Sequence, residues 1–263
     1  MTPFLDQDNV LCALFYPRRE ERALSFDPRR ISVRVAQDIL VHGYLYLAVE
    51  TAPVVLLFHG NGELAAEHGL MAKILTELGL SLLVMDYRGY GLSGGSPSTS
   101  HLLNDAITIF DALPELLLQH GISPKQVFIM GRSLGSAAAC EIASSRADKI
   151  AGLIIDSGFA STQPLLIRVG LDLGSYDENR DGHGNGRKIA HFAGRTLIMH
   201  GEQDTLIPPT EAEALFKLSG AQNKRLVIIP DANHNNLLSV GFLHYQKALE
   251  EFVGRRGKLD RAG

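Results

Sequence analysis

Two cysteines in 263 residues leave little room for disulfide or metal chemistry. Cys12 and Cys140 lie far apart and match no metal or redox spacing, so buried, reduced thiols are the expectation. An excess of one charge is lacking too. A formal net charge of -4 and a pI of about 6.2 give no basic field for nucleic acid or anionic lipid, so no nucleic-acid partner is expected. No continuous apolar run reaches the roughly 20 residues that span a bilayer. The opening Met1-Thr-Pro-Phe-Leu-Asp-Gln-Asp8 has acidic residues where a secretory signal carries basic ones. A cytoplasmic protein without a transmembrane segment is expected. Internal repeats and low-complexity linkers are absent as well, and 45% hydrophobic against 21% charged residues suit a folded chain with a well-buried core. The expected organisation is one domain over residues 1–263, with an N-terminal arm over 1–30 and a cap or insertion over 157–194.

What is present is an alternation of strands and helices. Ile31 to Val35 alternates apolar and polar side chains and Ile39 to Val49 continues in strand-rich residues, which predicts an antiparallel pair at a sheet edge. Val54 to Phe58 has no polar face, as in a strand covered on both sides. From there strand, loop and helix repeat. Helices are predicted over about 63–78, 100–120, 134–145, 208–218 and 237–252, and strands over about 81–85, 126–130, 150–156, 196–200 and 226–229. The fold class is therefore α/β, with a mostly parallel central sheet, helices on both faces, and ligands beyond the carboxyl ends of the strands.

The chemistry centres on Gly131-Arg-Ser-Leu-Gly135, where an apolar strand ends in G-x-S-x-G and a helix of small residues begins. Such a turn is a nucleophile elbow: it lifts the serine hydroxyl above the sheet and aims a helix N-terminus at it. A serine hydroxyl needs a base to take its proton, and the base needs a third group to fix its tautomer. After later strands come His200-Gly-Glu-Gln-Asp204 and Asp231-Ala-Asn-His234, which makes Ser133, Asp204 and His234 the candidate nucleophile, acid and base. Asp156, at another strand end, ranks second as the acid. Two N–H groups must also meet the developing oxyanion. Leu134 follows the nucleophile, and Asn61 lies in the glycine-bounded loop His59-Gly-Asn-Gly62, so these two are the candidate oxyanion-hole donors. His59 is assigned a structural role, its ring bonded to nearby backbone.

Taken in order, His59-Gly-Asn-Gly62, Asp86-Tyr-Arg-Gly-Tyr-Gly91, Gly131-Arg-Ser-Leu-Gly135, His200-Gly-Glu-Gln-Asp204 and Asn233-His234 resemble the α/β-hydrolase superfamily. The chain is similar to its small serine hydrolases related to serine aminopeptidases, prolyl-oligopeptidase-type catalytic domains and depalmitoylase-like proteins, over about residues 31–253. The resemblance implies an α/β-hydrolase fold with a small cap, and a structural turn at 86–91 in which Arg88 pairs internally. It implies a small-molecule acyl ester or thioester as substrate, with a peptide as the enzymatic rival and a catalytically inactive binding protein as the non-enzymatic one. No cofactor is required for such chemistry.

Residues 157–194 depart from the pattern. Gln163 to Leu173 reads equally as a helix roofing the pocket, through Leu165, Leu166, Val169 or Leu173, and as an ordinary packing helix. Beyond it, Asp177, Asn179, Asp181 and Gly182 match the first half of a calcium loop, D-x-[DN]-x-[DN]-G. Lys188 stands where that loop needs a bidentate glutamate, which favours a solvated surface loop over a structural calcium site at Asp177, Asn179 and Asp181.

Overall fold

The computed structural model describes residues 2–20 and 28–254. Eight strands form one sheet: β1 (Arg29–Ala36), β2 (Ile39–Tyr46), β3 (Val54–Phe58), β4 (Ser81–Met85), β5 (Val127–Arg132), β6 (Gly152–Asp156), β7 (Thr196–Gly201) and β8 (Lys224–Ile229), in the order β1-β2-β4-β3-β5-β6-β7-β8. The first two pair antiparallel at one edge, β2 joins β4 antiparallel, and every pairing from β4 to β8 is parallel. This is the α/β-hydrolase fold.

The apolar runs follow from a sheet buried on both faces. Side chains alternate along a strand, so Val54, Leu56 and Phe58 enter one core while Val55 and Leu57 enter the other. The first core is closed by α3 (Thr99–Gln119), α4 (Gly135–Ser145) and α8 (Pro209–Leu218), the second by α2 (Gly69–Glu77) and α10 (Phe242–Val253). Burying the five side chains of β3 at roughly 1.5–3 kcal/mol each leaves no position for a polar face. Ser98 caps α3 by accepting from the His101 N–H at 3.1 Å.

Several boundaries differ from those predicted. The helix expected from residue 63 begins at Gly69, after a 3-10 turn at Ala65–Glu67, because the Glu63 carboxylate turns back to the Gly60 N–H and to Arg132, and Glu67 accepts from the Leu64 N–H. The last helix is broken at Gly241 into α9 (Leu237–Val240) and α10. In the arm, a 3-10 turn at Phe4–Asp6 and α1 (Asp8–Leu14) bury Leu5, Val10 and Leu14; residues 21–27 of the expected arm lie outside those described. Cys140 is buried on α4, but Cys12 is exposed, contrary to expectation, since it falls on the outer side of α1. In the segment 157–194, α5 (Gln163–Arg168) sends Leu166 fully into the first core, as a packing helix does; α6 (Glu178–Asp181) and α7 (Asn185–Ala190) follow.

Candidate active site

Phe58 of β3 is in register with Gly131 of β5, so the loops leaving these two neighbouring strands start side by side. Ser133 stands between β5 and α4 with φ +50°, a left-handed backbone that is strained for any residue but glycine. The strain is held by the Ser133 N–H, which donates to the Asp156 carbonyl at 2.9 Å, and by α4 lying tightly on the sheet. Ala137, Ala138, Ala139 and Cys140 are all buried, and a Cβ at Gly135 would collide with the Phe58 carbonyl. Leu134 is the N-cap of α4.

The Ser133 hydroxyl lies 3.0 Å from His234 Nε2, and His234 Nδ1 lies 2.7 Å from Asp204 Oδ2. An Nδ1–H donating to the carboxylate leaves Nε2 bare as an acceptor for the hydroxyl proton. All three side chains are buried or nearly so. Asp204 is held from several sides: Oδ1 accepts from the Leu206 and Ile207 N–H groups at 2.9 and 2.8 Å, and Oδ2 also faces His200 Nε2 at 3.2 Å. Burial alone would favour the neutral acid, yet the hydrogen bonds from His200 and His234 outweigh it and hold the carboxyl below the usual aspartate range. The loops carrying Asp204 and His234 are tied together, since the Gln203 N–H donates to the Ala232 carbonyl at 2.8 Å.

The loop after β3 is pinned as firmly. Asn61 Oδ1 accepts from the Tyr16 N–H at 2.7 Å and from the Tyr90 hydroxyl at 2.8 Å, and Arg18 donates to the Gly62 carbonyl at 2.8 Å. The arm thus straps the candidate oxyanion loop. His59 lies beneath it, fully buried, with Nδ1 on the Gly60 carbonyl at 2.8 Å and Nε2 on Asp86 at 3.1 Å. Both neighbours are acceptors, so both ring nitrogens carry protons. Burial opposes that charge, but the hydrogen bond and charge of Asp86 prevail and raise the pKa above the ordinary 6.5.

The structure sorts the remaining sequence candidates. Asp156 accepts from the Tyr245 hydroxyl and from Ser157 Oγ, each at 2.8 Å, and is spent on α10 rather than on His234. Arg88 pairs with Asp105 through two 2.7 Å bonds. At Asp177, Asn179 and Asp181, where a solvated surface loop is favoured over a calcium site, the backbone forms a short helical turn. Asp177 caps α6, accepting from the Asn179 and Arg180 N–H groups, while Asp181 accepts from the Asp177 N–H at 2.9 Å and pairs with Arg180. The turn directs the Asp177 and Asp181 carboxylates to local backbone and to Arg180, and among the described residues no cluster of three His, Cys, Asp or Glu side chains could hold a metal. Sequence reasoning missed Glu63, Arg132, His200 and Tyr90. The available signal was position: Arg132 precedes Ser133 and Glu63 follows the glycine loop.

A family model described as serine aminopeptidase, S33, matches residues 50–173. Protein bem46 of Schizosaccharomyces pombe is 28% identical over 225 residues, covering 82% of this chain and 73% of that protein. The uncharacterized protein YfhR of Escherichia coli is 29% identical over 184 residues, 69% of this chain and 62% of its own length. Lysophosphatidylserine lipase ABHD12 of Danio rerio is 31% identical over 192 residues, covering 66% of this chain, and this chain spans only 49% of that protein. Among solved structures, the Pyrococcus furiosus esterase Pf2001 superposes with a TM-score of 0.72 at 19% identity, over 90% of this chain and 97% of that one. A soluble variant of monoglyceride lipase from Saccharomyces cerevisiae gives 0.68 at 18% identity, over 89% and 96%. Among the described residues no helix is long and apolar enough to cross a membrane.

Proposed function

Because the chain belongs to the α/β-hydrolase superfamily, we propose that it is a serine hydrolase that cleaves an ester or thioester through Ser133, His234 and Asp204. One observation carries this reading: a continuous relay from Ser133 Oγ through both nitrogens of His234 to Asp204, with heavy-atom distances of 3.0 and 2.7 Å, within hydrogen-bond reach for proton transfer.

His234 Nε2 takes the hydroxyl proton as Ser133 Oγ attacks the acyl carbonyl. Asp204 keeps the ring in its Nδ1–H tautomer and stabilises the imidazolium. The carbonyl oxygen, now negative, is met by the Leu134 N–H at the start of α4 and by the Asn61 N–H in the strapped loop. The imidazolium gives its proton to the leaving alcohol or thiol. Water, deprotonated by the same nitrogen, then releases the acid and restores Ser133.

Of the relatives named above, an esterase and two lipases favour esters over amides. Amide hydrolysis is the rival reading, carried by the aminopeptidase description of the family model. The test is labelling by a fluorophosphonate probe, expected for the wild type and absent from Ser133→Ala; equal labelling would sink the nucleophile assignment. A series of p-nitrophenyl esters of rising chain length, a thioester with a thiol indicator and an aminoacyl anilide then ranks the substrate classes, with faster anilide turnover deciding for a peptidase.

A further inference from the structure

A partly buried ion pair, Glu63 with Arg132, joins all three loops that the proposed reaction uses. Arg132 immediately precedes Ser133 on the elbow. Its Nη1 bonds to Glu63 Oε1, and its Nη2 donates to the His234 carbonyl at 2.8 Å. The other carboxylate oxygen of Glu63 accepts from the Gly60 N–H at 2.9 Å, in the loop that carries Asn61. His68 Nε2 approaches the same oxygen at 3.4 Å, and His68 Nδ1 is anchored on the Leu64 carbonyl at 3.0 Å. The junction is tight: a Cβ at position 60 would stand 2.6 Å from Arg132 Nη1.

A guanidinium is a planar fork whose donors point in fixed directions, so one arginine can hold a carboxylate and a carbonyl at a set separation. Here those acceptors belong to the oxyanion side and the base side of the site, while the arginine itself belongs to the nucleophile turn. The His234 loop otherwise leaves β8 through Asp231, whose φ of +59° is strained for a non-glycine residue. A restraint on the His234 carbonyl is therefore a restraint on where the imidazole stands over Ser133. A misplacement of about 1 Å in such a geometry costs on the order of 100-fold in rate.

We propose that Arg132 and Glu63 are positioning residues that lock the oxyanion loop, the nucleophile elbow and the His234 loop into one reactive geometry. Neither touches the reacting atoms. Their effect is on alignment, so it falls on the chemical step and not on substrate affinity. Arg132 cannot hold both acceptors without its fork, and Glu63 without Arg132 keeps only the Gly60 side, so the two act as one unit. This inference rests on the serine hydrolase reading.

The test compares wild type, Arg132→Gln, Glu63→Gln, the double variant and Arg132→Lys. The readout is hydrolysis of a p-nitrophenyl ester, with kcat expressed per active site counted by fluorophosphonate titration, and Ser133→Ala as the labelling blank. Each Gln variant is expected to lose on the order of 10- to 100-fold in kcat with KM within about threefold. The double variant is expected to be no slower than the worse single one, and Arg132→Lys to recover part of the loss by keeping the charge. A kcat per titrated site within about threefold of wild type in both single variants, or losses that multiply, overturns the proposal. Should Arg132→Gln fail to fold, Glu63→Gln decides alone by the same criterion. Wild type that labels no better than Ser133→Ala overturns the underlying reading and this inference with it, whereas normal wild-type labelling with unaffected variants removes the inference only.

Discussion

Two of the buried histidine–aspartate pairs flank the elbow, and they are bonded differently. His59 with Asp86 sits under the loop after β3, and His234 with Asp204 sits beyond β7 and β8. Each joins one ring nitrogen to a carboxylate. What separates them is the other nitrogen. In His59 it faces the Gly60 carbonyl, an acceptor, so the ring must keep both protons and serves as a fixed cationic post. In His234 it faces the Ser133 hydroxyl, a donor, so the nitrogen is left bare to receive a proton. A histidine's role is thus set less by its carboxylate than by whether its second neighbour gives or accepts a hydrogen bond.

The strongest way to break this contrast is to remove each carboxylate. Asp204→Ala is expected to lower kcat on the order of 10⁴-fold, by freeing the tautomer of His234, with the fold retained. Asp86→Asn is expected to act on stability instead, costing about 3–5 kcal/mol because it strands a buried imidazolium. Urea unfolding and active-site-titrated kcat separate the two; a large kcat loss with unchanged stability for Asp86→Asn would erase the distinction.

The pairs should also respond to pH in opposite directions. His59 has a folded pKa above 6.5, so its stabilisation is complete below that value and is lost as pH rises through the folded pKa. Asp204 has a folded pKa below 3.8, so its stabilisation is complete above that value and is lost as pH falls through the folded pKa. In thermal melts, the gap between wild type and His59→Gln should therefore narrow on the alkaline side, and that between wild type and Asp204→Asn only below about pH 3.8. Gaps that stay constant with pH would contradict both assignments.

A smaller effect sharpens the comparison with the third strand-end aspartate. Tyr245→Phe removes a hydrogen bond to buried Asp156 and is expected to cost about 1–3 kcal/mol of stability with kcat unchanged. A loss of kcat there would return Asp156 to the reaction. The smallest expected effect is none: millimolar calcium should leave the Tm of wild type and of Asp177→Ala equally unmoved, because the α6 carboxylates are already engaged.

Much of this was legible along the chain. The apolar strands announced a sheet covered on both faces, because the alternation of side chains leaves no room for a polar residue when both sides are buried. The elbow was legible because a sharp strand-to-helix turn needs small neighbours, and the candidates Asp204 and His234 because ligands of such sheets lie at the carboxyl ends of the parallel strands. The helical turn at Asp177 to Asp181 was not legible, for an equally physical reason. Asp-x-Asn-x-Asp spacing specifies oxygens but not the backbone beneath them, and a helical turn sends the same oxygens to N–H groups as readily as to an ion.

By itself, then, the sequence determined the layered α/β architecture, the order of the loops and the candidates for nucleophile, acid and base, since these depend on local periodicity and turn chemistry. Only the tertiary structure decided which partners those residues have. That Asp156 turns to Tyr245 while Asp204 turns to His234, that His59 meets two acceptors, and that Glu63 reaches Arg132 across 69 positions are all matters of distance between remote segments. A hydrogen bond ends within about 3.2 Å, and nothing in a run of residues fixes which remote segment comes that near.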